Sequence, residues 1–371
     1  MEITKFINEN NIKNFETLKL LLESNTYNLK IKEDKDYPEL FLIHHQHNTI
    51  FEYPFVDECN GIIMDKNNFK IICYTFNKCS DTSTKMDLNN LFIEHSIEGT
   101  LIRLFYYQER WVVSTKKCID ASKSIWLSKK NFLELFEECL EKYFSIHQFN
   151  NILNKLYCYS FIIMHPENKI VVNYTTPLLY HISTRDLNTL KEICNDIGIP
   201  KPKRNNISYE YFQNNLINLY IDTSLQYEGY IFTDIHYNRY KVINPYFNKV
   251  RNLWGNTNNR FFRYIELRKD YTLLNEYIYF FPYDVNIFSE YEKNIQNVAY
   301  EILRIYLLKY IQKNNEKIPF YFSKIIYKLH ESFLKDKIKT DYNKIMLKLL
   351  DLEPKKLYFI INNYNKNKID I

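Results

Sequence analysis

The apolar positions near the start of the chain repeat at helical spacing. Phe15, Leu18 and Leu22 fall at i, i+3 and i+7, with Leu21 on the same face, so the first 30 residues are predicted to be helical and amphipathic. The period then shortens to two. Gly61-Ile62-Ile63-Met64, a polar turn at Asp65-Lys66-Asn67-Asn68, and Phe69-Lys70-Ile71-Ile72-Cys73-Tyr74 predict a hairpin. Residues 101–107 and 110–115, joined by Gln108-Glu109, predict a second hairpin. Residues 130–146 return to helical spacing. Strand character resumes at 156–164, 169–174 and 177–182. The segment after Arg185 reads as a helix that Pro200 and Pro202 break, and strands follow at 227–233 and 239–243. Beyond Gly255 the pattern changes: residues 286–313, 319–337 and 340–363 carry apolar residues at helical spacing with lysines between them. Pro319 and Pro354 stand where helices would start. The expectation is an α+β protein, with antiparallel sheets in residues 1–257 and an all-helical domain in residues 258–371. No internal repeat is visible.

Composition supports two medium domains or one large one in 371 residues, and a 46% hydrophobic content suffices for a sizeable core. The net charge of +5 is uneven: residues 301–371 hold 15 Lys and Arg against 8 Asp and Glu. That basic region fits a phosphate-rich partner, and a solvated helical surface would look the same. Abundant Asn, Ile, Lys and Tyr with few glycines point to an AT-rich coding genome, such as that of a giant virus or a protozoan. The seven cysteines contain no C-x-x-C pair. They read as thiols of a reducing compartment, and a cytoplasmic location is expected. No signal peptide and no membrane span are expected.

Only five glycines occur, and three sit in matching settings. Gly61 follows Glu58-Cys59-Asn60, Gly99 follows Glu98, and Gly229 follows Glu228; each precedes a mostly apolar run. An acidic residue, a glycine and a strand, in that order, is how covalent nucleotidyltransferases of the ligase and capping class line their nucleotide pocket. From about residue 55 to 255 the segments together resemble the RNA ligases of the bacteriophage tRNA-repair type, and related proteins of large DNA viruses. The Glu-x-Arg-Gly-Ile segment of that family falls on Glu58-Cys59-Asn60-Gly61-Ile62, and Phe-x-Lys falls on Phe76-Asn77-Lys78. Ser96-Ile97-Glu98-Gly99-Thr100 takes the place of the nucleophile motif Lys-x-Asp-Gly-Ser, and Ser114-Thr115-Lys116-Lys117 ends the next strand pair. The Phe-Glu-Phe strand and its Pro-x-Asn-x-Ile-Val sequel match Tyr159-Ser160-Phe161 and Pro166-Glu167-Asn168-Lys169-Ile170-Val171. Glu228-Gly229-Tyr230-Ile231 matches Glu-Gly-Tyr-Val, and Lys241-Val242-Ile243 matches the final Lys-x-Lys.

The resemblance implies a nucleotidyltransferase domain of the ligase and capping kind (ATP-grasp-like) with ATP and Mg2+ as cofactors. In that chemistry a lysine amine attacks the α-phosphate of ATP, pyrophosphate leaves, and AMP passes to an RNA 5′-phosphate before a 3′-hydroxyl displaces it. It implies Lys78, Glu98, Gly99, Tyr159, Ser160, Phe161, Glu228 and Gly229 as nucleotide contacts, Glu228 as metal ligand, and position 96 with Lys116 and Lys241 as the catalytic set. Read without the resemblance, Tyr159 and Phe161 are core aromatics, and Lys116 and Lys117 alternate across a strand so that at most one faces a pocket. Four positions depart from the family pattern: Ser96 for the nucleophile, Asn60 for the arginine, Ser160 for the strand carboxylate and Ile243 for the last lysine.

The first expectation is therefore a ligase-like protein that binds nucleotide or RNA ends without standard adenylation. The second is an active RNA ligase with a relocated lysine, Lys116 before Lys241. The third is a structural or virion protein reusing the fold, with a protein partner. Trp111, Trp126 and Trp254 are expected in cores or domain contacts. His44, His45 and His47 lack the Cys or Asp partners of a metal site. Asp87, His95 and Ser96 lack the Gly-x-Ser-x-Gly elbow of a hydrolase.

Overall fold

The computed structural model describes residues 1–79, 87, 90–208, 210–211, 213–214, 218 and 221–369. It divides into two compact units, Met1–Lys249 and Val250–Ile371.

The first unit opens with α1 (Glu2–Glu9) and α2 (Phe15–Leu22). Asn14 starts α2 by accepting a hydrogen bond from the Thr17 amide, and Phe15, Leu18 and Leu22 are buried as their spacing requires. The helical region is shorter than predicted, because β1 (Leu29–Asp34) begins within it. β1, β2 (Tyr37–His45), β3 (Ile62–Asp65) and β4 (Ile71–Cys73) form an antiparallel sheet in that order, with α3 (Pro54–Glu58) between β2 and β3. The Glu58 carboxylate accepts the amides of Glu2 and Ile3, so it caps α1.

β5 (Leu91–Ser96) leads into β6 (Thr100–Tyr107) and β7 (Arg110–Thr115). Gln108 and Glu109 join the last two in left-handed conformations, as a two-residue hairpin requires. α4 (Phe132–Leu140) lies within the predicted 130–146 helix and ends before it, and α5 (Ile146–Ile152) follows as a separate helix, each opened by its own capping box, at Asn131/Glu134 and Ser145/Gln148. Then come β8 (Tyr157–Met164), β9 (Leu178–Asp186), β10 (Glu192–Ile193) and β11 (Asn205–Ile207). Two predictions fail here. Residues 169–174 are an irregular connection rather than a strand. The stretch after Arg185 is not a helix: β9 runs through Arg185, Asp186 accepts the amides of Asn188 and Thr189 in a turn, and β10 pairs back on β9. β12 (Gly229–Asp234) and β13 (Arg239–Ile243) complete two further antiparallel sheets, ordered β10-β9-β8-β6-β7 and β11-β5-β12-β13.

α6 (Pro245–Trp254) carries the chain into the second unit. This unit is helical: α7 (Arg260–Leu267), α8 (Tyr271–Phe280), α9 (Val285–Tyr306), α10 (Phe320–Asp336), α11 (Tyr342–Asp351) and α12 (Pro354–Ile369). Pro354 splits the predicted 340–363 helix in two. The wide turn Leu307–Ile311 ends the long helix early. Trp254 stacks under the Arg260 guanidinium, 3.4 Å from the ring centre, and packs on Tyr277 and Phe281. Among the described residues no helix is long and apolar enough to cross a membrane.

Candidate functional site

Three strands gather residues that are far apart in sequence. β5 pairs with β12, setting Gly229 opposite Ser96 and Ile231 opposite Glu94. β12 pairs with β13, setting Ile231 opposite Lys241 and Thr233 opposite Arg239. Strand alternation therefore puts Glu94, Ser96, Arg239 and Lys241 on one face, and Ile93, Phe232 and Val242 on the apolar other. Gly229 lets the strands close up: its φ is +148°, and a Cβ there would stand 2.1 Å from the Val242 carbonyl oxygen. At Gly99 a Cβ would stand 2.4 Å from Ile162 Cγ2 and 2.5 Å from the Ile163 carbonyl oxygen.

Glu228 is the hub. The Ser96 hydroxyl donates to Glu228 Oε2 at 3.0 Å, and the Lys241 ammonium pairs with the same oxygen. Ser96 and Glu228 are buried. Backbone bonds fix the geometry: the Glu228 amide donates to the Ser96 carbonyl at 2.8 Å, and the Asn244 amide to the Glu228 carbonyl at 2.8 Å.

Lys116, just beyond β7, belongs to the same electrostatic neighbourhood. Burial pulls its ammonium below the ordinary lysine value; the charges of Lys241 and Arg103 push the same way, while Cys79 and Glu228 oppose them. Its Nζ lies 5.8 Å from the Phe76 ring centre. Lys117 is exposed, so only one of the two adjacent lysines turns inward.

Other candidates lie apart from this hub. Glu98 spends its carboxylate on backbone: it accepts the Val171 amide at 3.0 Å and the Val172 amide at 2.7 Å. The Glu98 carbonyl oxygen takes the Tyr174 hydroxyl at 2.6 Å. The irregular connection is thus tied to the acid–glycine motif. Tyr159 and Phe161 are fully buried with Phe136, Phe149 and Ile163, in a core under α4 and α5. Their wholly covered rings pack the core and offer no face to a base. Ser160 is buried and shares a 2.7 Å hydrogen bond with Ser183. Lys78 lies over the Phe51 ring and lines a cavity with Phe76 and Arg239.

Sequence reasoning missed three residues. Arg103, buried mid-strand, donates to the carbonyls of Gly61 and Thr115 and ties β6 to the Gly61 turn; its signal was a charge inside an apolar run. Tyr174 sits where burial and the charges of Glu98 and Glu228 push its phenol up. Arg239 is paired with Glu192 across strands no local pattern connects.

The donor set does not favour a resident metal at the hub. Mg2+ takes one or two carboxylates with water and phosphate oxygens. Here the Lys241 ammonium already occupies Glu228 Oε2, so a metal would have to displace it. Elsewhere Glu138, His165 and Glu167 converge, but Lys130 bridges both carboxylates at 2.8 Å and fills the place of a cation. His45 donates its Nε2–H to the Val56 carbonyl and His44 its Nδ1–H to the His45 carbonyl, and among the described residues neither joins a cluster of metal-ligating groups.

No family model matches the chain. It is 26% identical over 320 residues to an immediate-early protein ICP-46 homolog of Invertebrate iridescent virus 6, covering 76% of this chain and 68% of that protein. It is 26% identical over 192 residues to an RNA ligase of Rhodothermus phage RM378, covering 42% of this chain and 43% of the ligase. An archaeal ATP-dependent RNA ligase structure superposes with a TM-score of 0.42 at 11% identity, covering 93% of this chain and 76% of that one. The chain thus spans about two thirds of the iridescent-virus relative and less than half of the phage ligase.

Proposed function

Since the chain belongs to the RNA ligase family, we propose that it binds a nucleotide and RNA ends beside Glu228 and Lys241 without adenylating position 96. The observation that carries this reading is the state of Ser96. Its hydroxyl needs a base to become a nucleophile, and its acceptor, Glu228, is already shared with the Lys241 ammonium. Lys241 would meet the phosphate oxygens of ATP, and Glu228 the ribose hydroxyls. Gly229 holds the two strands close enough for both to act on one ligand.

A second reading rests on Lys116. A lysine whose ammonium is pulled down holds more free amine at neutral pH, which suits attack on the α-phosphate with loss of pyrophosphate. An interaction protein without nucleotide binding is the remaining alternative.

Incubation with α-labelled ATP and Mg2+ followed by a denaturing gel separates them. The first reading expects no labelled band from the wild type and a band from Ser96→Lys. A wild-type band that Lys116→Ala abolishes overturns it in favour of the second. Absence of label in every variant, together with no measurable ATP binding, removes both.

A further inference from the structure

Two residues before Lys241, on the same face of β13, Arg239 is 7% exposed. Its Nη2 donates to Glu192 Oε1 at 2.6 Å, while its Nη1 makes no hydrogen bond. Arg185 approaches the other oxygen of Glu192 at 3.6 Å, an ion pair in which that oxygen takes no hydrogen bond, and spends Nε and Nη1 on the carbonyls of Thr75 and Leu190. Two buried guanidiniums therefore share one carboxylate, which leaves one positive charge and an unused donor group. Each guanidinium also lies on an aromatic ring: Arg239 is 4.7 Å from the centre of Phe76 and Arg185 4.5 Å from that of Tyr74. All five residues line a cavity of about 910 Å³ within the first unit, which falls in the range that holds a nucleotide. Besides Glu192 its wall carries Glu58, engaged by the α1 amides, Glu2, paired with Lys5, and Asp57, against the cations Lys78, Lys191, Arg185 and Arg239.

A buried guanidinium donor without a partner costs free energy unless a ligand takes it. Planar N–H pairs match the oxygens of phosphates and carboxylates, and phosphates are the anions that a nucleotide or an RNA offers. We propose that Arg239, backed by Arg185 over Glu192, is a phosphate-binding site separate from the Ser96–Glu228–Lys241 hub, receiving phosphoryl oxygens of a nucleotide tail or of an RNA backbone. The site stands on its own residues, so it survives even if no nucleotide occupies the hub.

Isothermal titration with inorganic tripolyphosphate, with ATP and with a short single-stranded RNA tests it on the full chain. Wild type should bind at least one of these probes, and Arg239→Gln should weaken that binding about tenfold or more. Lys129→Ala, at an exposed lysine outside the cavity, should leave tripolyphosphate binding unchanged. Glu192→Gln removes the competing carboxylate and should tighten it, which keeps the test alive if Arg239→Gln fails to fold. Loss confined to tripolyphosphate and ATP assigns a nucleotide tail, and loss confined to RNA assigns the backbone. Equal affinity in wild type and Arg239→Gln for every probe overturns the site, as does Glu192→Gln binding no tighter. Absence of label in every variant, Ser96→Lys included, alongside an Arg239-dependent tripolyphosphate signal would sink the hub reading alone.

Discussion

At the scale of single residues, burial decides what a polar side chain can do. Ser96, Glu228 and Lys241 satisfy one another, and Glu98 is consumed by two backbone amides. His181 shows the same principle as a pH effect. It is buried against Phe161, and its Nε2 bonds Thr184 Oγ1 at 2.9 Å. Burial first, and the Lys201 charge second, pull its pKa from 6.5 to about 4. Between those values the unfolded chain binds a proton that the folded chain refuses. This contribution to stability is therefore complete above pH 6.5 and is lost as pH falls towards 4, by about 3 kcal/mol at most. Urea unfolding at pH 7 and at pH 4.5 should show that loss, and His181→Leu should flatten the difference. An equal acid sensitivity in the variant would assign the effect to other groups.

At the scale of elements, the β12–β13 pair depends on one missing side chain. Gly229→Ala would place a methyl against the Val242 carbonyl and hold a non-glycine residue at φ +148°. The expected cost is about 2 kcal/mol or more, from backbone strain and overpacking. Chemical denaturation reads it as a lower midpoint with an unchanged slope. A midpoint within error of wild type would mean that the strands are free to part. The elements also show why periodicity misleads. Residues 169–174 alternate like a strand, yet the amides of Val171 and Val172 go to the Glu98 carboxylate and that of Tyr174 to the Val172 carbonyl rather than to a neighbouring strand. The stretch after Arg185 has helical spacing, but a turn at Asp186 ends its chance of helix.

At the scale of the molecule, charge is the property with reach. The C-terminal 71 residues carry the 15-to-8 excess of cations, on helices whose lysines are largely exposed. If this surface meets RNA, counterions are released, and log affinity should fall linearly with log salt. Replacing Lys348, Lys355 and Lys356, all exposed, with Gln should weaken binding of all RNA sequences alike and make the salt slope shallower. Fluorescence anisotropy at several salt concentrations measures both. An unchanged slope would move the RNA contact off these helices.

The sequence by itself determined the local grammar: both early hairpins, the Gln108-Glu109 turn, the strands around Gly99 and Gly229, and the break at Pro354. It also determined the order of motifs that carries the family resemblance. These are legible because periodicity, turn residues and prolines act within a few residues. It left open which partner each buried face meets. Tyr159 and Phe161 could have faced a base or a core, and packing under α4 and α5 decided for the core. Ser96 meets Glu228 across 132 residues, and Arg239 meets Glu192 across 47. Alternation along a strand tells which side chains share a face, but only the pairing of distant strands tells what covers that face.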